Sequence, residues 1–189
     1  MSRVSEPEGA AGRYACRPAG TGPAEGLNGR RMALDEFLAL PEGTPGQLLG
    51  GEVVMTPAPT PYHQVVSRRL EFALLRFVED NGSGQVFDSP LDVFLSDGDV
   101  LQPDLLFIAR ERESIIGPAR VEGAPDLVVE ILSPGSAYDD LRRKYRIYAG
   151  RTRFQALISI SSREEVPKPA AVGESCRRVI RDCRRLADS

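Results

Sequence analysis

Three side chains in the middle of the chain have types and places suited to chemistry on a phosphate. Asp104 follows Pro103 at the head of an apolar run, Leu105-Leu106-Phe107-Ile108. Glu130 lies inside a second apolar run, Asp126-Leu127-Val128-Val129-Glu130-Ile131-Leu132. Lys144 follows Asp140 at four-residue spacing on the next segment. Two acidic residues on neighbouring strands make hard oxygen ligands for Mg²⁺ or Mn²⁺. A nearby lysine can orient or polarise a water, or offset charge developing on a phosphate. Together they are the equipment for metal-assisted phosphodiester hydrolysis.

The elements that must hold these groups are legible from patterning. In the second run Val128 and Leu132 share a face with Glu130, while Leu127, Val129 and Ile131 take the other. A strand apolar on both faces belongs inside a sheet covered on both sides. An ionised carboxylate there is costly unless paired or bound to a cation. Tyr138 to Tyr148, carrying Lys144, reads as a helix. Residues 85–95 and 100–108 read as two strands of a hairpin, with Pro90 marking a bulge or an edge and Pro103-Asp104 inside the second. Tyr62 to Asp80 has Val66, Leu70, Ala73, Leu74 and Phe77 at helical spacing, with Thr60 or Pro61 at its start and Asn81-Gly82 at its end. Before it stand a short helix at 32–40, two short strands around Gly50-Gly51, and an extended connector whose alternate prolines exclude helix. Residues 110–116 read as a polar connector or short helix.

Each candidate also has an ordinary structural role open to it. Asp104 suits a turn, and Glu130 suits a buried ion pair with an arginine. Lys144 suits a solvated pair with Asp140. Asp88 and Asp92 alternate along one strand and read as its wet face.

Composition bounds the class. The 189 residues are 41% hydrophobic and 27% charged, which suits one soluble domain with a substantial core. No stretch approaches the roughly 18 apolar residues of a membrane span, and no secretory h-region stands at the start, so a cytoplasmic protein without a membrane partner is expected. Cys16, Cys176 and Cys183 form neither a disulfide framework nor a ligand set. Residues 31–150 hold eleven basic and nineteen acidic residues, a balance of -8, against nine and five, or +4, in 151–189. An acidic core argues against tight non-specific duplex binding, but not against a nuclease that uses carboxylates for metal. Residues 1–31 are rich in Gly, Ala, Pro and Glu and read as a disordered extension, with Met32 an alternative start.

The ordered set of motifs resembles the PD-(D/E)XK nuclease superfamily and, more narrowly, the Uma-type family of restriction-endonuclease-like proteins. The matching stretches are Leu40-Pro41-Glu42-Gly43, Gly51-Glu52-Val53-Val54-Met55, Pro59-Thr60-Pro61-Tyr62-His63-Gln64, Gln102-Pro103-Asp104, Val128-Val129-Glu130-Ile131-Leu132-Ser133-Pro134, and Asp140, Lys144 and Tyr148 at four-residue steps. They cover about residues 34–150. The resemblance implies an α/β fold, a restriction-endonuclease-like mixed β-sheet flanked by helices. It also implies DNA as substrate and a Mg²⁺ (or Mn²⁺) site at Asp104 and Glu130. Strict superfamily spacing would put lysine at position 132, which is Leu132. The role therefore passes to Lys144. Glu52 and His63 match family positions and would be auxiliary, Glu52 as an outer carboxylate and His63 as a phosphate or water contact. A homodimer is left open.

Past Tyr148 the pattern stops. Gly150-Arg151-Thr152-Arg153-Phe154 replaces the expected segment, and there is no tryptophan. A frameshift near residue 150 accounts for this, with 151–189 a frameshifted or divergent tail. The rival account keeps Phe154 to Ser161 as a substitute strand. The two functional readings are thus a metal-dependent endonuclease hydrolysing DNA phosphodiester bonds, and an inactive or truncated remnant acting at most as a binding protein.

Overall fold

The computed structural model describes residues 26–41, 44–95, 98–132, 138–149 and 154–159. A short helix, α1 (Leu34–Leu38), precedes a hairpin of β1 (Gly46–Leu49) and β2 (Glu52–Met55). Gly50 and Gly51 turn that hairpin with φ of +55° and +74°. Positive φ at both central residues is what a tight hairpin turn demands, and glycine adopts it without a Cβ clash. The long helix α2 (Pro61–Asn81) follows the proline-rich connector. Thr60 caps it by accepting from the His63 N–H at 3.1 Å, Pro61 occupies its first turn, and Gly82 closes it in the left-handed region.

The next stretch departs from expectation. Each of the two long strands read at 85–95 and 100–108 is split in two. β3 (Gly84–Asp88) and β4 (Val93–Phe94) come from the first, β5 (Val100–Leu101) and β6 (Leu105–Ala109) from the second. The hairpin pairing survives, since β3 pairs antiparallel with β6 and β4 with β5. The halves lie in different sheets, so the expected mixed α/β architecture is built from two sheets. One has the order β2-β1-β5-β4-β7 and the other β3-β6-β8-β9. The physical reason is the proline in each interruption. Pro90 and Pro103 lack the N–H a continuing ladder needs. Residues 89–92 stand opposite residues 102–104, one residue more on the first side, so the expected bulge becomes the crossing between sheets.

After β6 come a 3₁₀ segment (Arg110–Ile115), β7 (Val121–Glu122), β8 (Leu127–Leu132), α3 (Tyr138–Tyr148) and β9 (Phe154–Ser159). Both sheets are mixed: β7 runs parallel to β4, and β9 runs parallel to β8 over six residue pairs from Leu127↔Phe154 to Leu132↔Ser159. The strand that the rival account places at 154–161 is present as β9, over Phe154–Ser159.

β8 is covered on both faces, as its pattern requires. Leu127, Val129 and Ile131 join Leu105 and the α2 residues Val66, Leu70, Leu74 and Val78 in one core. Val128 joins Leu106, Ile108, Val93, Leu101 and Tyr148 in a second core between the sheets. A third core lies on the far side of the hairpin, built from Leu27, Met32, Phe37, Leu48, Val53 and Val100.

That third core moves one boundary. The expected extension ran through residue 31, but residues 26–32 pack along β2. The Gly29 N–H donates to the Val53 carbonyl at 2.8 Å, the Val53 N–H to Arg30 at 2.9 Å, and the Met32 N–H to Gly51 at 2.9 Å. Leu27 and Met32 are buried. The segment thus covers the free edge of β2, which would otherwise present unpaired backbone groups. A compositional reading misses it because only Leu27 and Met32 are apolar among many small and polar neighbours. Residues 1–25 and the three cysteines lie outside the described residues. Leu27→Ala should lower the unfolding free energy by about 2 kcal/mol, read from the denaturant midpoint. A disordered extension would show no change.

Candidate active site

Register sets the two acidic positions side by side in the backbone. β6 and β8 pair antiparallel through Leu105↔Val129, and one further step brings Asp104 opposite Glu130. The side chains part company there: Glu130 turns to α3, and Asp104 turns to α2 and to the Ile131 N–H. Asp104 sits at the sheet crossing, just outside β6, where a ring of side-chain bonds fixes the backbone. The Gln102 N–H donates to Gln47 Oε1 at 3.0 Å, and Gln102 Nε2 donates to Asp92 Oδ1 at 2.7 Å. Gln47 Nε2 in turn donates to Thr56 Oγ1 at 3.3 Å. Asp92, read from sequence as part of a wet face, is thus a partner of the segment that delivers Asp104.

Each carboxylate is held by groups from different elements. Asp104 Oδ2 accepts the Ile131 N–H at 2.6 Å, and Asp104 Oδ1 lies 3.3 Å from His63 Nε2. His63 is the third residue of α2, so the Thr60 cap that starts the helix also sets its backbone. With Nε2 donating to Asp104, Nδ1 presents its lone pair; that atom is buried and has no hydrogen-bond partner among the described residues. Glu130 is 6% exposed and Lys144 7%. Lys144 Nζ donates to Glu130 Oε2 at 3.0 Å, and the Tyr148 hydroxyl lies 3.4 Å from Glu130 Oε1. Lys144 is therefore buried rather than solvated, and Glu130 makes a buried ion pair with this lysine.

Glu52 is placed differently. Its Oε2 lies 3.1 Å from Arg143 Nη1, and Arg143 Nη2 donates to the Leu49 carbonyl. Glu52 therefore reaches the carboxylates only through α3. The structure pairs Asp104 with His63 and Glu130 with Lys144, links the strand of Glu130 to Asp104 through the Ile131 N–H, and adds Tyr148 and Arg143. Tyr148 had a visible signal, one helical turn beyond Lys144 on the same face. Arg143 had none beyond its adjacency to Lys144.

Elsewhere on α2, the Glu71 carboxyl is raised above the ordinary carboxylate value, first by burial and then by Asp88, against a lowering by Arg68. No three His, Cys, Asp or Glu side chains among the described residues are grouped so as to hold a metal by themselves. Asp104 and Glu130 nonetheless fit Mg²⁺ in type, since that ion takes one or two carboxylates and fills its remaining positions with water or substrate oxygen.

The family model for Uma2, putative restriction endonuclease, matches residues 34–165. The chain belongs to this family. The match runs beyond residue 150 and takes in β9. Among solved structures, a putative nuclease belonging to DUF820 from Anabaena variabilis ATCC 29413 is similar at 22% identity and a TM-score of 0.60, over 76% of this chain and 92% of that one. At that identity the likeness speaks for the fold. No curated protein matches the chain. No helix among the described residues is long and apolar enough to cross a membrane.

Two outcomes follow from these electrostatics. Lys144→Met should cost about 3–5 kcal/mol by leaving Glu130 buried and unneutralised, and adding Glu130→Leu should recover most of that; urea unfolding of both variants checks it. Glu71→Gln should raise the melting temperature at neutral pH. A carboxylate with a raised folded-state pKa destabilises above its unfolded value, and the penalty fades as it is protonated. The gain should therefore vanish as pH falls through the carboxylate range.

Proposed function

We propose that the chain is a divalent-metal-dependent endonuclease that hydrolyses DNA phosphodiester bonds. The observation that carries this reading is the pair Asp104 and Glu130, opposed on neighbouring strands, with Lys144 buried against Glu130 at 3.0 Å. Membership of the Uma2 family supports DNA as the substrate. Asp104 and Glu130 would hold Mg²⁺ or Mn²⁺, which when bound supplies Lewis-acid polarisation of a phosphoryl oxygen and a more acidic water.

The protein's own groups then have distinct work. The Ile131 N–H holds Asp104 Oδ2, leaving the second lone pair of each Asp104 oxygen for further contacts. Lys144 pairs with Glu130 in a buried place, and its ammonium would offset charge developing on a phosphate. Tyr148 fixes the other Glu130 oxygen. His63 orients Asp104 through Nε2 and offers Nδ1 to a water or phosphate hydroxyl. A homodimer would set two such sites on opposite DNA strands, and the reading places the protein in the cytoplasm.

Supercoiled plasmid should be nicked with Mg²⁺ or Mn²⁺ and spared in chelator. Asp104→Asn and Glu130→Gln should lose roughly 10²-fold or more in rate, together with the divalent-metal isotherm in calorimetry. Equal cleavage by the wild type and both variants would sink the reading.

A further inference from the structure

We infer that Arg143 is a positioning residue, pinning α3 to the β1–β2 turn and thereby holding Lys144 on Glu130; its effect on catalysis rests on the nuclease reading above. Arg143 and Lys144 are neighbours on α3, and successive helical residues point about 100° apart. Lys144 turns into the buried face toward Glu130. Arg143 turns to the hairpin, where its guanidinium straddles the turn. Nη2 donates to the carbonyl of Leu49, the last residue of β1, and Nη1 lies 3.1 Å from Oε2 of Glu52, the first residue of β2. The turn approaches closely: a Cβ added to Gly50 would lie 3.7 Å from Arg143 Nη2. From the other side, Asp99 Oδ1 accepts the Gly50 N–H and holds the turn in place.

The latch is half-exposed, with the Arg143 and Glu52 side chains at 33% and 36%. Ion pairs that wet contribute little to stability. Its planar, two-pronged geometry, by contrast, restricts rotation and sliding of the helix at the residue next to Lys144. The consequence falls on placement of the Lys144 ammonium rather than on folding. This also gives Glu52 a role suited to where it lies, as the anchor of the latch.

The test uses the full-length chain with Arg143→Ala, Glu52→Ala and the double variant, each checked for an unchanged melting temperature. Lys144 and Lys168 are the only lysines, so pulse acylation with acetic anhydride and peptide mass spectrometry reads Lys144 separately from Lys168 and the N-terminal amine. Lys144 should acylate several-fold faster in both single variants, and the double should exceed neither. On plasmid with Mg²⁺, kcat should fall roughly ten- to hundredfold, the scale for a reacting group displaced by about an ångström, with KM little changed. Arg143→Lys, which keeps one prong, should restore part of both. Unchanged Lys144 reactivity in Arg143→Ala overturns the latch, as do additive effects of the two single substitutions. A wild type that fails to cleave overturns the nuclease reading, and Lys144 reactivity still decides the latch.

Discussion

The structure depends on one buried carboxylate. Glu130 sits in the middle of a strand whose other residues are apolar, with a core on either side. Its charge is tolerable there because it is partnered, and α3 delivers the Lys144 ammonium and the Tyr148 hydroxyl to it. A buried ion pair contributes little net stability compared with apolar residues of similar volume. What it contributes is specificity of placement. A helix that must set Lys144 on Oε2 and Tyr148 near Oε1 has one rotation and one height above the sheet. Val128, beside Glu130 on the same face, packs with Tyr148 in the same core and enforces that choice.

The second carboxylate is delivered by a different device. Asp104 owes its position to the break between β5 and β6. A continuous strand would have run past this point in one sheet. Pro103 removes the ladder donor, and the chain crosses instead from one sheet to the other, with Gln102 bonded to Gln47 and Asp92 on the way. The crossing frees the Asp104 side chain to reach the Ile131 N–H on the facing strand. The interruption that weakens two strands as secondary structure is what brings an acidic residue to the sheet end.

Legibility in the sequence followed the strength of local pattern. β8 was readable because five consecutive apolar positions around one glutamate leave few alternatives, and α2 because Val66, Leu70 and Leu74 recur with a cap before and a glycine after. The family motifs marked Asp104, Glu130 and Lys144. The split of 85–95 and 100–108 was not readable, because Pro90 and Pro103 report a break but not which sheet each half joins; that depends on pairing between residues distant in sequence. The packing of residues 26–32 escaped for a related reason. Backbone bonds to β2 leave no trace in composition, and one buried leucine among glycines carries no period. The Glu52–Arg143 pair joins residues 91 positions apart through charges that look solvated in any local window.

These placements together explain why the two carboxylates need partners from opposite layers. Asp104 and Glu130 occupy adjoining register positions of two paired strands, and each acid has its own compensating partner. Lys144 is bonded to Glu130 Oε2 from α3, which packs in the core between the sheets. The compensation for Asp104 therefore comes from α2, on the other face of the sheet, through the first turn that carries His63. A helix whose N-terminal residues face an acid also adds the positive end of its backbone dipole. Each acid thus has its own helix. Motion of α3 would disturb Glu130 first and motion of α2 would disturb Asp104 first, so the two halves of the site are separable although they share one pair of strands.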